Sequence, residues 1–219
     1  TVAGSCRYMG VHESQSRFYE NILGRNKNFW IPVYEKVQEL MPQMKDISLD
    51  EFYHEINHVR NSLIRTEADE VTYCFHIILR YEMEKAIFRD NVPVAKLPEL
   101  WNQKMKEYLD IVPTNDAEGI LQDMHWSDGS FGYFPSYLLG SIYDGMYLEE
   151  LEKELGPVDE ILKEGKISEI TKWLNEKIHW YGSTRTPKEV IANVCGKEVS
   201  AEPLVRYFER KYANVYDLK

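Results

Sequence analysis

The sequence predicts an all-α fold in which one helix follows another along most of the chain. Apolar residues recur at three- and four-residue spacing, as at Phe18, Ile22 and Leu23, which places them on one face of a helix. Strand-like alternation of polar and apolar residues is nearly absent. Proline and glycine stand between the periodic segments, as at Gly156 and Pro157, where they end helices. These observations favour a multi-helix bundle.

The helical periodicity begins near Glu13 and continues to Leu40. Further along the chain, Thr66 has the character of an N-cap, and Asp69 follows it by three residues. Carboxylates in the first turn interact favourably with the helix dipole. A long helix is therefore predicted over residues 67–89.

The second half of the chain is divided by proline and glycine. Pro98 and Pro113 bracket an amphipathic segment, and a glycine-rich turn at 128–132 separates two helical blocks. Five helices are predicted after this turn, at 135–155, 158–164, 167–180, 187–194 and 202–216.

Composition limits the classes of function. The chain has 219 residues, 43% of them hydrophobic, which is enough for one core or two small ones. Its formal charge is −10 without a Lys/Arg block, which argues against a nucleic-acid partner. Cys6, Cys74 and Cys195 form no CxxC pair, which argues against disulfides and a thiolate zinc site and favours a reducing cytoplasm. We see neither a membrane span of about 18 apolar residues nor an export signal.

One literal HExxH stands at 54–58, and Glu82 follows it. On a helix this spacing puts two imidazoles on one face, as in a zinc site. The apolar stripe of a helix through this segment would lie elsewhere, at Phe52, Ile56, Val59 and Leu63. A catalytic helix must line a dry cleft, whereas polar residues surround these histidines. We interpret His54 and His58 as surface residues, and a metal site with Glu82 as the weaker alternative.

Four stretches in order resemble the motifs of the carboxypeptidase Taq family of metallocarboxypeptidases. They lie within some 130 residues, TPKE at 186–189 extends the likeness, and the resemblance spans essentially the whole chain. The stretches are MGVHESQSRFYEN at 9–21, IRTEADEVTY at 64–73, GILQDMHW at 119–126 and GSFGYFPSYLLG at 129–140.

The resemblance implies a zincin-like, neurolysin-like helical architecture in which this chain forms one side of a peptidase cleft. In that family an HExxH precedes the HES triplet, and only twelve residues precede Glu13 here. We therefore expect residues 1–219 to be the C-terminal part of a catalytic domain, with the HExxH outside the chain. The family further implies peptide substrates, one zinc or cobalt ion and a homodimer.

By resemblance, Glu13 is the third ligand of a gluzincin zinc site, after the two histidines of the HExxH. From the residues alone, a carboxylate near a helix N-terminus has a simpler explanation in the helix dipole. Glu20 could support the site, but an ion pair with Arg17 explains it equally well.

The resemblance also implies that His125 and Tyr133 stabilise the oxyanion formed when an amide is attacked. Tyr137 is the alternative to Tyr133, and Asp123 is expected to orient His125. The simpler alternative is an aromatic cluster that packs helix ends. Both interpretations stay open at this stage.

An exopeptidase must recognise a free C-terminal carboxylate, for which an arginine fork is well suited. Arg65 is our candidate, because it lies in the IRTEAD segment. The alternative is an ion pair with one of the nearby acidic residues Glu67, Asp69 or Glu70. Three other arginines also remain candidates for the substrate carboxylate: Arg17, Arg80 and Arg185.

The sequence thus predicts part of a metallocarboxypeptidase that releases single C-terminal residues, and the isolated chain is expected to be inactive. A non-enzymatic helical module that binds peptides is the rival hypothesis. An HExxH upstream in the gene would discriminate between them.

Overall fold

The computed structural model describes residues 8–218, which form helices and contain no β-strand. The all-α prediction is confirmed. The chain divides into two compact units, one made of residues 8–57 with 139–218 and the other of His58–Leu138. None of the helices in the described part of the chain is long and apolar enough to cross a membrane.

The first unit contains most of the helices. Its core is formed by aliphatic and aromatic side chains such as Phe18, Met146, Tyr147 and Leu174, which are fully buried. Its helices are α1 (Met9–Arg17), a π-helix (Phe18–Leu23), α2 (Lys27–Trp30), α3 (Tyr34–Leu40), α4 (Leu49–Ile56), most of α7 (Pro135–Leu155), α8 (Val158–Lys163), α9 (Ile167–Lys177), α10 (Pro187–Cys195) and α11 (Glu202–Val215).

Two glycines of α7 allow other helices to approach its backbone. A Cβ at Gly140 would lie 2.7 Å from the backbone nitrogen of Ser14, and one at Gly145 would lie 2.5 Å from that of Leu204. Such distances are far inside van der Waals contact, so a larger residue would push α1 or α11 away. Gly140 therefore fixes how closely α1 packs on α7.

The second unit is built around α5 (Thr72–Phe88) and α6 (Leu97–Leu109). Trp101, Met105 and Leu109 on α6 are buried, which confirms the amphipathic segment predicted between Pro98 and Pro113. Short 3₁₀ turns precede the two helices, at Arg65–Glu67 and Val94–Lys96.

The predicted cap of the long helix is wrong by several residues. Thr66 lies inside the 3₁₀ turn, and α5 begins at Thr72 instead of residue 67. The Asp69 carboxylate does the capping, because its Oδ1 accepts hydrogen bonds of 2.9 Å from the backbone nitrogens of Val71 and Thr72. An ionised carboxylate is the stronger acceptor at a positive helix end.

The helix carrying the literal HExxH is shorter than the predicted stripe requires. It begins at a Ser48 capping box and ends at Ile56. Asn57, which is fully buried, donates from its amide to the Arg25 carbonyl at 3.0 Å, and Arg25 donates to the Ile56 carbonyl at 2.7 Å. These bonds replace the next helical turn, so the apolar stripe to Leu63 does not form.

The remaining helices agree with the sequence to within a few residues. The helix predicted over 167–180 ends at Lys177, and a 3₁₀ segment at His179–Thr184 follows it. The next helix starts at Pro187 behind a capping box between Thr186 and Glu189. The helix α1 changes to π-helical winding at Phe18, a change that periodicity did not indicate.

Candidate active site

The second unit brings His125 together with Tyr133 and Tyr137. The Nε2 atom of His125 lies 3.1 Å from the hydroxyl of Tyr137, within hydrogen-bond distance. The ring centroids of His125 and Tyr133 are 5.6 Å apart, and the ring of Phe134 lies beneath the imidazole at 4.3 Å. The two tyrosines are themselves in edge contact at 5.2 Å. The HW and YFPSY motifs therefore form one cluster.

A tight turn makes this cluster possible. Gly129 and Gly132 have φ values of +84° and +80°, which residues with side chains adopt only at a cost. The backbone nitrogen of Ser130 donates to the His125 carbonyl at 2.7 Å and to the Asp128 carboxylate at 2.9 Å. The chain thus reverses between the imidazole and the Tyr133 phenol, which brings the two side chains together.

Arg65 lies beside this cluster and is held by an anionic partner. Its Nε and Nη2 donate to Oδ1 of Asp123 at 2.9 and 2.7 Å, and its Nη1 donates to the Tyr73 hydroxyl at 2.8 Å. Its guanidinium carbon lies 5.1 Å from the centroid of Tyr137, a cation–π distance. Tyr137 therefore touches both Arg65 and His125.

The ion-pair partner of Arg65 is Asp123, which lies 58 residues away, and not one of the acidic residues near it in sequence. Asp123 also accepts from Nε of Arg80 at 2.6 Å. Asp123 is therefore not the expected hydrogen-bond partner of His125, because Nε2 of the imidazole lies at the Tyr137 hydroxyl and Nδ1 has no partner among the described residues. Arg65 and Arg80 were separate candidates for binding the substrate carboxylate, and in the structure both bond to Asp123.

This buried group carries more positive than negative charge. Burial lowers the pKa of Arg80 to about 10, still far above neutrality. Burial alone would raise the pKa of Asp123, but Arg80 and Arg65 outweigh that effect, so the pKa lies below its usual value. Two cations therefore share one anion, with Arg65 only 7% exposed and Arg80 fully buried. Such an excess favours an anionic group nearby.

The histidines beside these arginines stay uncharged. Burial, with help from Arg80, lowers the pKa of His76 to about 3. The pKa of His125 also falls, first because of partial burial and then because of the positive charge of Arg65. At neutral pH His125 is therefore a neutral imidazole, able to donate one hydrogen bond and accept another.

Glu13 lies in the first unit, on α1, and is half-buried. Its neighbour Ser14 is fully buried and donates to the Asp144 carboxylate at 2.6 Å. Gln15 continues this chain of contacts, since its amide donates to Ser14 at 3.2 Å and its oxygen lies 2.6 Å from Nε2 of His179. The two residues that follow Glu13 on α1 are therefore held by hydrogen bonds to Asp144 and His179.

The described residues supply only part of a metal site. No group of three or more His, Cys, Asp or Glu side chains among residues 8–218 is arranged to hold a metal ion. Glu13 fits the role of one anionic ligand, because carboxylate oxygen is a normal ligand of zinc. The remaining ligands of such a site would have to come from elsewhere.

The literal HExxH lacks the geometry that its pattern suggests. His54 lies on α4, but His58 lies beyond the helix end, and both are exposed. Glu82 accepts from the Tyr108 hydroxyl at 2.8 Å and from the ammonium of Lys104. Glu20 forms an ion pair with Arg17 at 3.6 Å, which is the alternative that its spacing suggested.

The sequence did not single out several residues that shape the cluster. Tyr73 and Gln122 bond to the arginines, and Glu84 bonds to the turn. Tyr73 and Gln122 lie inside the motifs already quoted, and their place in these motifs was the only feature of the sequence that could have identified them. Glu84 lies outside every motif, and nothing in the sequence marks it.

The fold, together with the motifs that form this cluster, defines a class, the helical metallopeptidases. The model of the carboxypeptidase Taq (M32) metallopeptidase family matches residues 1–212. The chain belongs to this family.

Among its relatives, the chain is 52% identical over 209 residues to carboxypeptidase 1 of Bacillus subtilis (strain 168), covering 95% of the chain and 42% of that protein. It is 40% identical over 216 residues to thermostable carboxypeptidase 1 of Thermus thermophilus, covering 99% of the chain and 42% of that protein. The solved M32 carboxypeptidase of Deinococcus radiodurans R1 superposes with a TM-score of 0.91 at 32% identity, over 95% of the chain and 42% of that structure. The chain thus spans about two fifths of the length of these relatives.

Proposed function

We propose that this chain is the C-terminal part of a metal-dependent carboxypeptidase that releases single C-terminal residues from peptides. The observation that carries the proposal is the joining of Arg65 to His125 through Tyr137 in one partly buried cluster. A carboxylate-binding cation and a neutral hydrogen-bonding imidazole are what an exopeptidase needs side by side.

Arg65 supplies the recognition of the free carboxylate. Its bonds to Asp123 and Tyr73 use one hydrogen on each of its three nitrogens, so each terminal nitrogen keeps one further N–H. A substrate carboxylate would accept these and would also balance the excess positive charge of the Arg65, Arg80 and Asp123 group. An amidated peptide offers no such anion.

His125 and Tyr133 stabilise the oxyanion that develops on the scissile carbonyl. Within the described part of the chain, Nδ1 of His125 is buried and has no hydrogen-bond partner. A buried polar atom without a partner is costly, so this nitrogen is the one left to donate to the substrate when binding opens the site around it. Tyr137 keeps the imidazole oriented through its contact with Nε2.

Glu13 supplies one anionic ligand to the metal, and an HExxH outside this chain supplies two histidines. Zinc is the ion we propose, with cobalt as the alternative. When bound, a divalent metal supplies Lewis-acid polarisation of a water molecule and of the scissile carbonyl. We further propose a cytoplasmic location, since the cysteine usage favours a reducing compartment, and a homodimer, which the family resemblance implies.

The test is hydrolysis of matched peptides by the whole protein encoded by the gene. Free-acid and C-terminally amidated forms of one peptide are incubated with it, and the products are followed by mass spectrometry. We expect stepwise loss of single residues from the free acid only. Cleavage within the chain, or peptide binding without cleavage, would contradict the proposal, and the second result would favour a peptide-binding module.

A further inference from the structure

Glu84 attaches the turn of the candidate active site to helix α5. Its Oε1 atom accepts a hydrogen bond of 2.9 Å from the indole nitrogen of Trp126 and one of 3.0 Å from the backbone nitrogen of Gly132. Glu84 itself is buried, with 7% of its surface exposed. A buried carboxylate is costly unless its hydrogen bonds are made, so these two bonds account for its presence.

The two donors stand at the two ends of the turn. Trp126 directly follows His125, and Gly132 directly precedes Tyr133. One oxygen atom therefore holds the Trp126 side chain at one end of the segment between the imidazole and the phenol, and the Gly132 backbone at the other end. The bonds within the turn, from Ser130 to His125 and Asp128, close it on itself, whereas the Glu84 bonds tie it to a helix.

We propose that Glu84 is a positioning residue, which holds His125 and Tyr133 at the separation that oxyanion stabilisation requires. This inference rests on the proposed function of those two side chains. Oxyanion donors must be placed within a few tenths of an ångström to act. A turn with two glycines at positive φ and an exposed tip at 127–129 needs an outside anchor to reach that accuracy.

The geometry distinguishes positioning from simple stabilisation. Because both bonds end on the same oxygen, the amide carbonyl of a glutamine can accept both of them. Methionine has a similar length and fills the space but accepts neither. Glu82 on the same helix provides the matched control, since it accepts from Tyr108 and Lys104 on α6 and does not touch the turn.

The experiment uses the full-length enzyme carrying Glu84→Gln, Glu84→Met, Glu84→Asp or Glu82→Met. Steady-state kinetics on a free-acid peptide are combined with hydrogen exchange of the 126–132 segment, followed by mass spectrometry. Glu84→Met should lower kcat by on the order of 10- to 100-fold with KM nearly unchanged, and exchange in the segment should accelerate. Glu84→Gln should retain kcat within about threefold.

Glu82→Met should leave kcat and the exchange of this segment at wild-type values. If Glu84→Met does not fold, Glu84→Asp serves instead, because its shorter side chain draws the oxygen away from both donors and should lower kcat in the same way. Wild-type kcat in the Met or Asp variant, or an equal loss in Glu82→Met, would overturn the positioning role. A wild-type enzyme that releases no residue from free-acid peptides would instead contradict the proposed function.

Discussion

The hydroxyl of Ser14 donates a 2.6 Å hydrogen bond to the carboxylate of Asp144, which joins α1 to α7 across 130 residues of sequence. Both side chains are buried. Burial raises the pKa of Asp144 well above its ordinary value, and the hydrogen bond from Ser14 and the charge of Arg17 only partly oppose that rise. The residue after Glu13 is therefore anchored to a carboxyl group that resists ionisation.

This pair predicts how stability depends on pH. The pKa of Asp144 in the folded protein lies above the value of about 3.9 in the unfolded chain, so the folded state binds the proton more tightly. Its contribution to stability is present at low pH and is lost as pH rises from about 4 through the folded pKa. The Asp144→Asn variant of the whole enzyme, which cannot ionise there, should gain stability relative to wild type as pH rises.

The measurement is the apparent melting temperature of both proteins at several pH values between 4.5 and 8, a range chosen to start just above the unfolded pKa. In the variant, Ser14 can still donate to the oxygen of the new side-chain amide, so packing is retained. A melting-temperature difference that stays constant over this range would contradict the raised pKa.

Tyr133 is predicted to act in the transition state. Tyr133→Phe should lower kcat and kcat/KM together by on the order of 100-fold with KM nearly unchanged, because it removes one oxyanion donor. Tyr137→Phe is the matched variant, since it removes the hydroxyl at Nε2 of His125 and should have the smaller effect on kcat. Normal kcat in Tyr133→Phe would exclude the oxyanion role, and a loss of about 100-fold confined to Tyr137→Phe would transfer that role to Tyr137.

Arg65 is predicted to recognise the terminal carboxylate. Arg65→Lys should raise KM for free-acid peptides, because an ammonium group lacks the planar fork that bonds Asp123, Tyr73 and a carboxylate together. The preference for free-acid over amidated peptides should shrink with it. Arg89→Lys changes an exposed residue that pairs with Asp90; it is the control and should behave as wild type. The measurement is steady-state kinetics on the free-acid and amidated peptides. An unchanged preference for the free acid in Arg65→Lys would show that Arg65 has a purely structural role.

The local spacing of apolar residues was enough to predict most helices. It was not enough to predict a helix end that depends on contacts between residues distant in sequence. The α6 face of Trp101, Met105 and Leu109 follows directly from helical spacing. The end of α4 does not, since it depends on a bond from Asn57 to the Arg25 carbonyl, 32 residues away, and on one from the Arg25 side chain to the Ile56 carbonyl. Periodicity continued the helix past that point because it contains no information about the Arg25 side chain.

In the candidate site, too, the sequence did not predict which distant residues would be in contact. Its motifs named His125, Tyr133, Tyr137 and Arg65, and the structure brings these four together. The partners of Asp123 lie 58 and 43 residues away, a relation that only folding creates. Sequence identified the side chains, and tertiary packing assigned their partners.

The isolated chain of 219 residues is predicted to bind zinc weakly and to have no peptidase activity. One carboxylate cannot replace a site with three protein ligands. The measurement is zinc content after dialysis, together with mass spectrometry of a free-acid peptide incubated with the chain. Stoichiometric zinc with C-terminal trimming would contradict the proposal that the HExxH lies outside the chain. It would instead favour a metal site at His54 and His58.

Glu13 is predicted to bind the catalytic metal, and the metal content of full-length variants measures this role. Metal is measured by mass spectrometry after dialysis for wild type, Glu13→Gln, His54→Ala and His58→Ala, with folding checked by circular dichroism. Glu13→Gln should lose most of its metal while remaining folded, because an anionic ligand is replaced by a neutral amide. Both histidine variants should keep wild-type metal content. Full metal in Glu13→Gln together with loss of metal in His54→Ala and His58→Ala would show that the histidines, and not Glu13, bind the metal.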